Sequence, residues 1–241
     1  IIPAAEKTKD KPGKDSSEPP QGLRITQPAL ALARQHHLDF AALPTDQLIT
    51  EAFILARVTP IEVTSAPNAL IIYGGGGHAK SLIDLIRAEG KNTVVGIVDD
   101  GLAAGTQVMG VPVLGGGALL SELQKKGINK AINAVGGIGN IAPRLAVYDR
   151  LKATGFTCPT VVHPRAYIEP GAIVGEGGQL FFNAYIGSDV TIGFGCIINT
   201  GAIISHDCTL GDYVNISPGA ILAGAVNVNE RSLVGMGATI N

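Results

Sequence analysis

The chain contains no tryptophan, and aromatic residues make up only 5% of its 241 positions. Apolar residues reach 46%, so a core can form, but it has to be aliphatic. An excess of one charge is also missing. The net charge is −2, which argues against the basic surface a nucleic-acid partner needs. No apolar run reaches membrane-spanning length and no secretory hydrophobic region appears, so no membrane partner is expected. Cysteine is scarce: Cys158, Cys196 and Cys208 are too few for a disulfide framework. They are expected as buried, reduced thiols of a cytoplasmic protein. Residue 1 is Ile1 rather than methionine, and Asn241 falls inside a repeat. The sequence is therefore expected to be an internal piece, with further coils beyond Asn241.

What is present is a period. From Val162, every sixth residue is a branched aliphatic: Ile168, Val174, Leu180 and onward to Val234 and Ile240. Two residues before most of these stands a small side chain, as at Ala184, Cys196, Ala202, Cys208 and Ala220. A helix repeats its apolar face every 3.6 residues and a strand every two, and a period of six fits neither. It fits a short strand, a corner and another short strand, the large aliphatic pointing inward and the small residue making room. Gly, Asn, Asp and Ser crowd the remaining positions, as tight corners require. The pattern predicts a hexapeptide-repeat parallel β-helix over 159–241.

Upstream, residues 1–22 are charged and rich in Pro and Ser around EKTKDKPGKDSSEPPQ, and predict a flexible linker. Residues 23–58 predict a small all-α module. Thr26 caps a helix carrying Pro28 in its first turn and running to about His36, and Thr50 caps a second through Ile54. Residues 59–67 are a second linker. Over 68–158 strands alternate with helices, which gives a small parallel, Rossmann-like α/β domain. Its first strand, Ala69 to Tyr73, runs into Gly74-Gly75-Gly76-Gly77-His78-Ala79 and a helix from Lys80 to Arg87. Gly74-x-Gly76-x-x-Ala79 between strand and helix, with Asp99 twenty residues past Ala79, is a dinucleotide-type fingerprint. Physically it lets a phosphate approach the backbone at a helix N-terminus. It does not specify NAD. Asp99-Asp100 reads equally as an acidic strand end that binds a ligand and as a solvated turn.

The run NTGAIISHDCTLGDYVNISPGAILAG resembles the sugar O-/N-acyltransferases of the sialic acid O-acetyltransferase type, and the resemblance extends from about Asn68 to the chain's end. It implies a left-handed coil, a hand that the usual crossover preference would not supply. It further implies acetyl-coenzyme A as acyl donor, a sugar nucleotide or sialic acid-like sugar as acceptor, and a homotrimer with coenzyme A between neighbouring coils. His206, two residues after the inward Ile204, stands at a corner facing outward. With Asp207 beside it to orient the ring, it has the chemistry of a general base. The resemblance puts SHDC at the family's catalytic position and matches Gly224 to the glycine whose N–H receives the oxyanion. It matches Gly74, Gly75, Gly76 and Gly77 to an acceptor-binding loop, His78 to a donor for a phosphate or sugar oxygen, and Asp99 and Asp100 to the acidic strand end. Asn215 stands where many relatives have histidine. His163, at the first coil, is expected to be structural. A zinc site of the carbonic anhydrase kind needs three histidines. The coil offers His206 and, at its edge, His163, so no metal is expected.

Residues 23–58 resemble the peripheral subunit-binding module of 2-oxo-acid dehydrogenase acyltransferases through Pro28, Ala29, Ala33, Leu38, Asp39 and LITEAFI, with Leu30 and His37 departing from its pattern. That implies a possible protein partner. The competing reading is a trimeric interaction scaffold whose helical module docks a partner complex. Intact His206-Asp207 and the glycine loop favour the enzyme.

Overall fold

The computed structural model describes residues 19–36, 38–40, 43–45, 47–58, 66–136 and 139–241, and for residues 56–58 only the backbone. The greater part of both expected linkers and His37 lie outside the described residues. The chain divides into two compact units, 1–59 and 60–241.

In the first unit, α1 (Gln27–Gln35) starts at Thr26, whose Oγ1 accepts from the Ala29 N–H at 3.4 Å. Helix α2 (Glu51–Val58) starts beside Thr50, whose Oγ1 accepts from Phe53 N–H at 3.3 Å. It runs to Val58 rather than stopping at Ile54, because no Pro or Gly interrupts it before Pro60. Ala29 and Ala33 are small enough to bring α1 onto Ile49, Ile54, Phe40 and Leu43, which form the module's buried centre.

The second unit opens with a five-stranded sheet. Its strands are β1 (Ala69–Tyr73), β2 (Thr93–Val98), β3 (Gln107–Val108), β4 (Val111–Gly115) and β5 (Ala131–Asn133). The order is β3-β4-β2-β1-β5, parallel except for the β3–β4 hairpin. Strand β1 is buried along its whole length, as its unbroken apolar run requires. Helix α3 (Gly77–Glu89) begins three residues before the expected Lys80. Gly76 is extended and serves as N-cap, so the last glycine of the run, Gly77, opens the first turn, and left-handed Gly90 ends the helix. Helix α4 (Leu120–Lys125) follows a short 3₁₀ turn at Gly117–Leu119, and α5 (Ala142–Ala153) leads to the coil.

From Val161 the chain forms a left-handed parallel β-helix of fourteen two-residue strands, β6 (Val161–Val162) to β19 (Thr239–Ile240). Ile186, Ile204 and Leu222 lie in register one above another, and the other two faces repeat the arrangement. The second residue of each strand points inward. Leu180, Ile186, Ile192, Ile198, Ile204, Leu210, Ile216 and Leu222 fill the axis with Ala184, Cys196, Ala202, Cys208 and Ala220 between them. Each buried aliphatic of this size contributes roughly 1.5–3 kcal/mol. All three cysteines are buried and unpaired.

The sheet domain and the coil share a core. Val161, Phe181 and Ile197 of the coil pack with Leu82, Ile86 and Ile132 of the sheet domain. One coil face, carrying Val161, Gln179, Ile197 and Asn215, is covered in this way. A second face shows Thr191, Thr209 and Asn227 to solvent. The third shows Tyr167, Tyr185, Ile203 and Ile221.

Candidate active site

His206 follows β13 (Ile203–Ile204) at a corner, and its side chain is 68% exposed. Asp207 adopts a left-handed φ of 60°, a conformation aspartate tolerates better than most residues. The Asp207 N–H donates to Ser188 O of the coil below, and Ala225 N–H of the coil above donates to His206 O. The corner is thus clamped between its neighbours. Asp207 Oδ2 lies 2.6 Å from His206 Nδ1. A carboxylate only accepts, so Nδ1 carries a proton, and in the neutral ring the lone pair is on Nε2.

Gly224 lies against the imidazole. A Cβ there would meet His206 Cε1 at 2.5 Å and Nε2 at 2.7 Å, so only a glycine admits the ring in this position. The Gly224 N–H has no acceptor among the described residues, although its neighbours Ala223 and Ala225 are both bonded. A lone pair and an unclaimed N–H therefore stand side by side at one corner. That is the pair of groups an acyl transfer needs.

The glycine loop lies at the C-terminal edge of the sheet. Gly74 has φ 101° and its backbone lies against Ala134, so a side chain is excluded there by both conformation and space. The amide of Gly74 donates to Val98 O and that of Gly75 to Asp99 Oδ2 at 2.7 Å. The N–H groups of Gly76, Gly77, His78 and Ala79 face out of the first turn of α3 with no acceptor among the described residues. No acidic residue occupies that turn.

Asp99 and Asp100 both anchor the loop they stand in, although the Asp100 side chain is 58% exposed. Asp99 Oδ1 takes the Gly101 and Leu102 amides, both at 2.8 Å, so this carboxylate shapes the loop from both sides. Asp100 Oδ1 takes Gly117 N–H at 2.7 Å, and its Oδ2 takes the Tyr73 hydroxyl at 2.7 Å and Arg150 Nη1 at 2.9 Å. The Gly117 amide, ahead of Tyr73 and Arg150, holds the Asp100 carboxyl below its usual range. Burial, then Asp100, pushes the Tyr73 phenol up to about 12. Tyr73, Gly74, Asp99, Asp100, Val135 and Arg150 line a cavity of about 370 Å³.

His78 contacts the coil as well as the glycine loop. Its Nε2 lies 2.7 Å from Gln179 Oε1 on the coil, and its ring packs on Phe181 at 5.6 Å. Burial, assisted by Arg144, lowers its pKa. Its Nε2 is tied to the coil, and Nδ1 is the ring nitrogen left toward the loop. Tyr73, Arg150 and Gln179 escaped the sequence reading. Gln179 sits at an outward strand position, and only the docked sheet domain makes that position buried.

Hexapeptide coil and glycine-loop domain together define a transferase with an appended nucleotide-type domain. Residues 69–151 match the PglD N-terminal domain and residues 189–224 match the bacterial transferase hexapeptide (six repeats). A crystal structure of a point mutant of perosamine N-acetyltransferase from Caulobacter crescentus, in complex with CoA and GDP-perosamine, is 37% identical. That match covers 73% of this chain and 81% of that one, with a TM-score of 0.66. The acetyltransferase domain of PglB from Neisseria gonorrhoeae, in complex with acetyl coenzyme A, is 34% identical over 72% of this chain and 82% of that one, with a TM-score of 0.64. No curated protein sequence matches. The chain belongs to the hexapeptide-repeat sugar acyltransferases, and it is an acyltransferase. None of these matches supports the resemblance of residues 23–58 to a peripheral subunit-binding module.

Proposed function

We propose that the chain transfers an acetyl group from acetyl-coenzyme A to the amino group of a nucleotide-linked sugar, with His206 as general base. The observation that carries this reading is the corner where His206 Nε2 stands against Gly224 while Asp207 holds Nδ1. Nε2 accepts the proton as the sugar amine attacks the thioester carbonyl. The Gly224 N–H receives the developing oxyanion, and the imidazolium returns the proton to the departing thiolate. Asp207 keeps the ring in the one tautomer that can do this.

Residues 68–158 then hold the acceptor, with its phosphates at the amides of Gly76 to Ala79 and its nucleotide beside Asp99 and Asp100. Residues 159–241 hold the donor. The Caulobacter relative's complex with both CoA and GDP-perosamine supports a donor and an acceptor of these kinds.

The active unit is a homotrimer formed through the coil face bearing Tyr167, Ile203 and Ile221, which are 59%, 38% and 38% exposed. Of the two uncovered faces this one is the apolar one, and His206 adjoins it. Ile203→Asp is expected to yield monomers by light scattering. The helical module shows Leu48 and Leu55 to solvent, a surface suited to a protein partner. No helix among the described residues is long and apolar enough to cross a membrane, and a cytoplasmic site fits the coenzyme A supply.

The test is to incubate the protein with acetyl-coenzyme A and GDP-perosamine, following free thiol and the acetylated sugar by mass spectrometry. The expected product carries the acetyl group on nitrogen. Acetylation of a hydroxyl alone, or no thiol release with amino-sugar nucleotides of any base, would overturn the reading.

A further inference from the structure

We propose that His78 reads the bound nucleotide sugar as a hydrogen-bond acceptor, through Nδ1, and that Gln179 of the coil imposes that polarity. The group recognised is then a hydroxyl or N–H of the ligand, not a phosphate oxygen. The inference rests on the placement of the acceptor at the glycine loop.

The argument follows donors and acceptors along one chain of bonds. Gln179 Nε2 lies 2.8 Å from the Asn133 carbonyl oxygen. A carbonyl can only accept, so Gln179 must turn its NH₂ toward Asn133. Its Oε1 then faces His78 Nε2 at 2.7 Å, and that oxygen too can only accept. His78 must donate from Nε2. A neutral imidazole has one N–H, which leaves a lone pair on Nδ1.

The neutral form is favoured by surroundings. His78 is largely withdrawn from water, and the Arg144 guanidinium repels a second proton, so its pKa lies below the usual value. Gln179 and Asn133 are each 1% exposed, so the chain of bonds is sealed from competing water. Asn133 is itself held: its Nδ2 donates to Arg144 O at 2.9 Å, and its Oδ1 accepts from Val135 N–H at 3.0 Å. Gln179 faces the main-chain carbonyl of Asn133, which has no hydrogen to donate, so the polarity cannot reverse by a flip of the Gln179 amide.

Nδ1 of His78 has no partner among the described residues, nor is it one of the buried atoms left without one. His78 is the second residue of α3, in the same turn as the free amides of the loop. Amides in that turn suit the phosphates. A lone pair beside them repels phosphate and accepts from a neighbouring hydroxyl or N–H.

Histidine-selective ¹⁵N labelling with long-range ¹H–¹⁵N correlation tests this, His78 being assigned by its loss in His78→Gln. At neutral pH the free protein is expected to show His78 with Nε2 protonated and Nδ1 bare. Adding GDP-perosamine is expected to shift Nδ1. A shift with GDP alone as well would place the donor in the nucleotide, and a shift with GDP-perosamine only would place it in the sugar. In kinetics, His78→Ala should raise KM for the nucleotide sugar about 2- to 12-fold, the worth of one neutral hydrogen bond, and leave KM for acetyl-coenzyme A unchanged. A protonated Nδ1, or an unmoved Nδ1 while the amides of Gly76 to Ala79 shift, would overturn the inference and leave the loop as the acceptor site. A complex in which neither moves would overturn both.

Discussion

Replacing Gly224 with alanine adds one methyl group at the corner beside His206 and little else. Gly224 does not have a left-handed φ, so alanine brings no backbone strain there. The new Cβ would lie 2.5 Å from His206 Cε1 and 2.7 Å from Nε2. Carbon atoms in contact sit about 3.5–4.0 Å apart, so the ring must retreat by roughly 1 Å. With its side chain 68% exposed it can swing outward without disturbing the core. Stability should therefore change by no more than about 0.5 kcal/mol, the usual range for a surface substitution. A base displaced by 1 Å can lose about 10²-fold in rate. Alanine keeps the backbone N–H expected to hold the oxyanion, so the loss is read as displacement of the base. A fall in kcat of at least about 10²-fold is expected, with the melting temperature and oligomer unchanged. The assay is thiol release from acetyl-coenzyme A with a working acceptor, beside a thermal melt. A Gly224→Ala protein with near-native kcat would refute the placement of the ring against Gly224 and the role that rests on it.

His206→Ala removes the proposed base and no core packing, so kcat should fall about 10²- to 10⁴-fold at unchanged melting temperature, with Asp207→Asn milder; intact turnover would leave the corner without a catalytic role. Ala225 is an exposed alanine at φ 60°. Relief of that conformation, less the extra chain entropy of glycine, makes Ala225→Gly stabilising by roughly 0.5–1 kcal/mol, and a lowered melting temperature would contradict this. Because the folded pKa of His78 is depressed, the unfolded chain takes up a proton near pH 6.5 that the folded one refuses. Its contribution is thus complete above about pH 6.5 and declines as pH falls toward the lower folded value. Urea midpoints across that window should fall more steeply for the native protein than for His78→Gln, and parallel curves would count against it.

The coil was legible because its physics is local. Every corner needs compact or left-handed residues and every strand offers one inward position, so Ile186, Ile204 and Leu222 and the small residues between them announce themselves at fixed spacing. The first strand and its glycine run were legible for the same reason. The start of α3 was misplaced because a glycine run reads as loop, while its missing side chains leave the first turn free to form. Asp99 and Asp100 were undecidable in sequence, since a carboxylate that anchors a loop and one that faces water are spelled alike.

By itself the sequence determined the period, and with it the shape of the coil and the outward corner on which His206 and Asp207 stand. It also determined that the glycine loop precedes a helix. Only the tertiary structure decided which coil face is covered, because that depends on where the sheet domain docks. Docking buried Gln179 and Asn133, and buried polar groups must find partners. That requirement, absent from any local stretch of chain, turned His78 toward the coil and set which of its nitrogens keeps a lone pair. The contact of His206 with Gly224 is likewise a matter of stacking, one coil laid on the next.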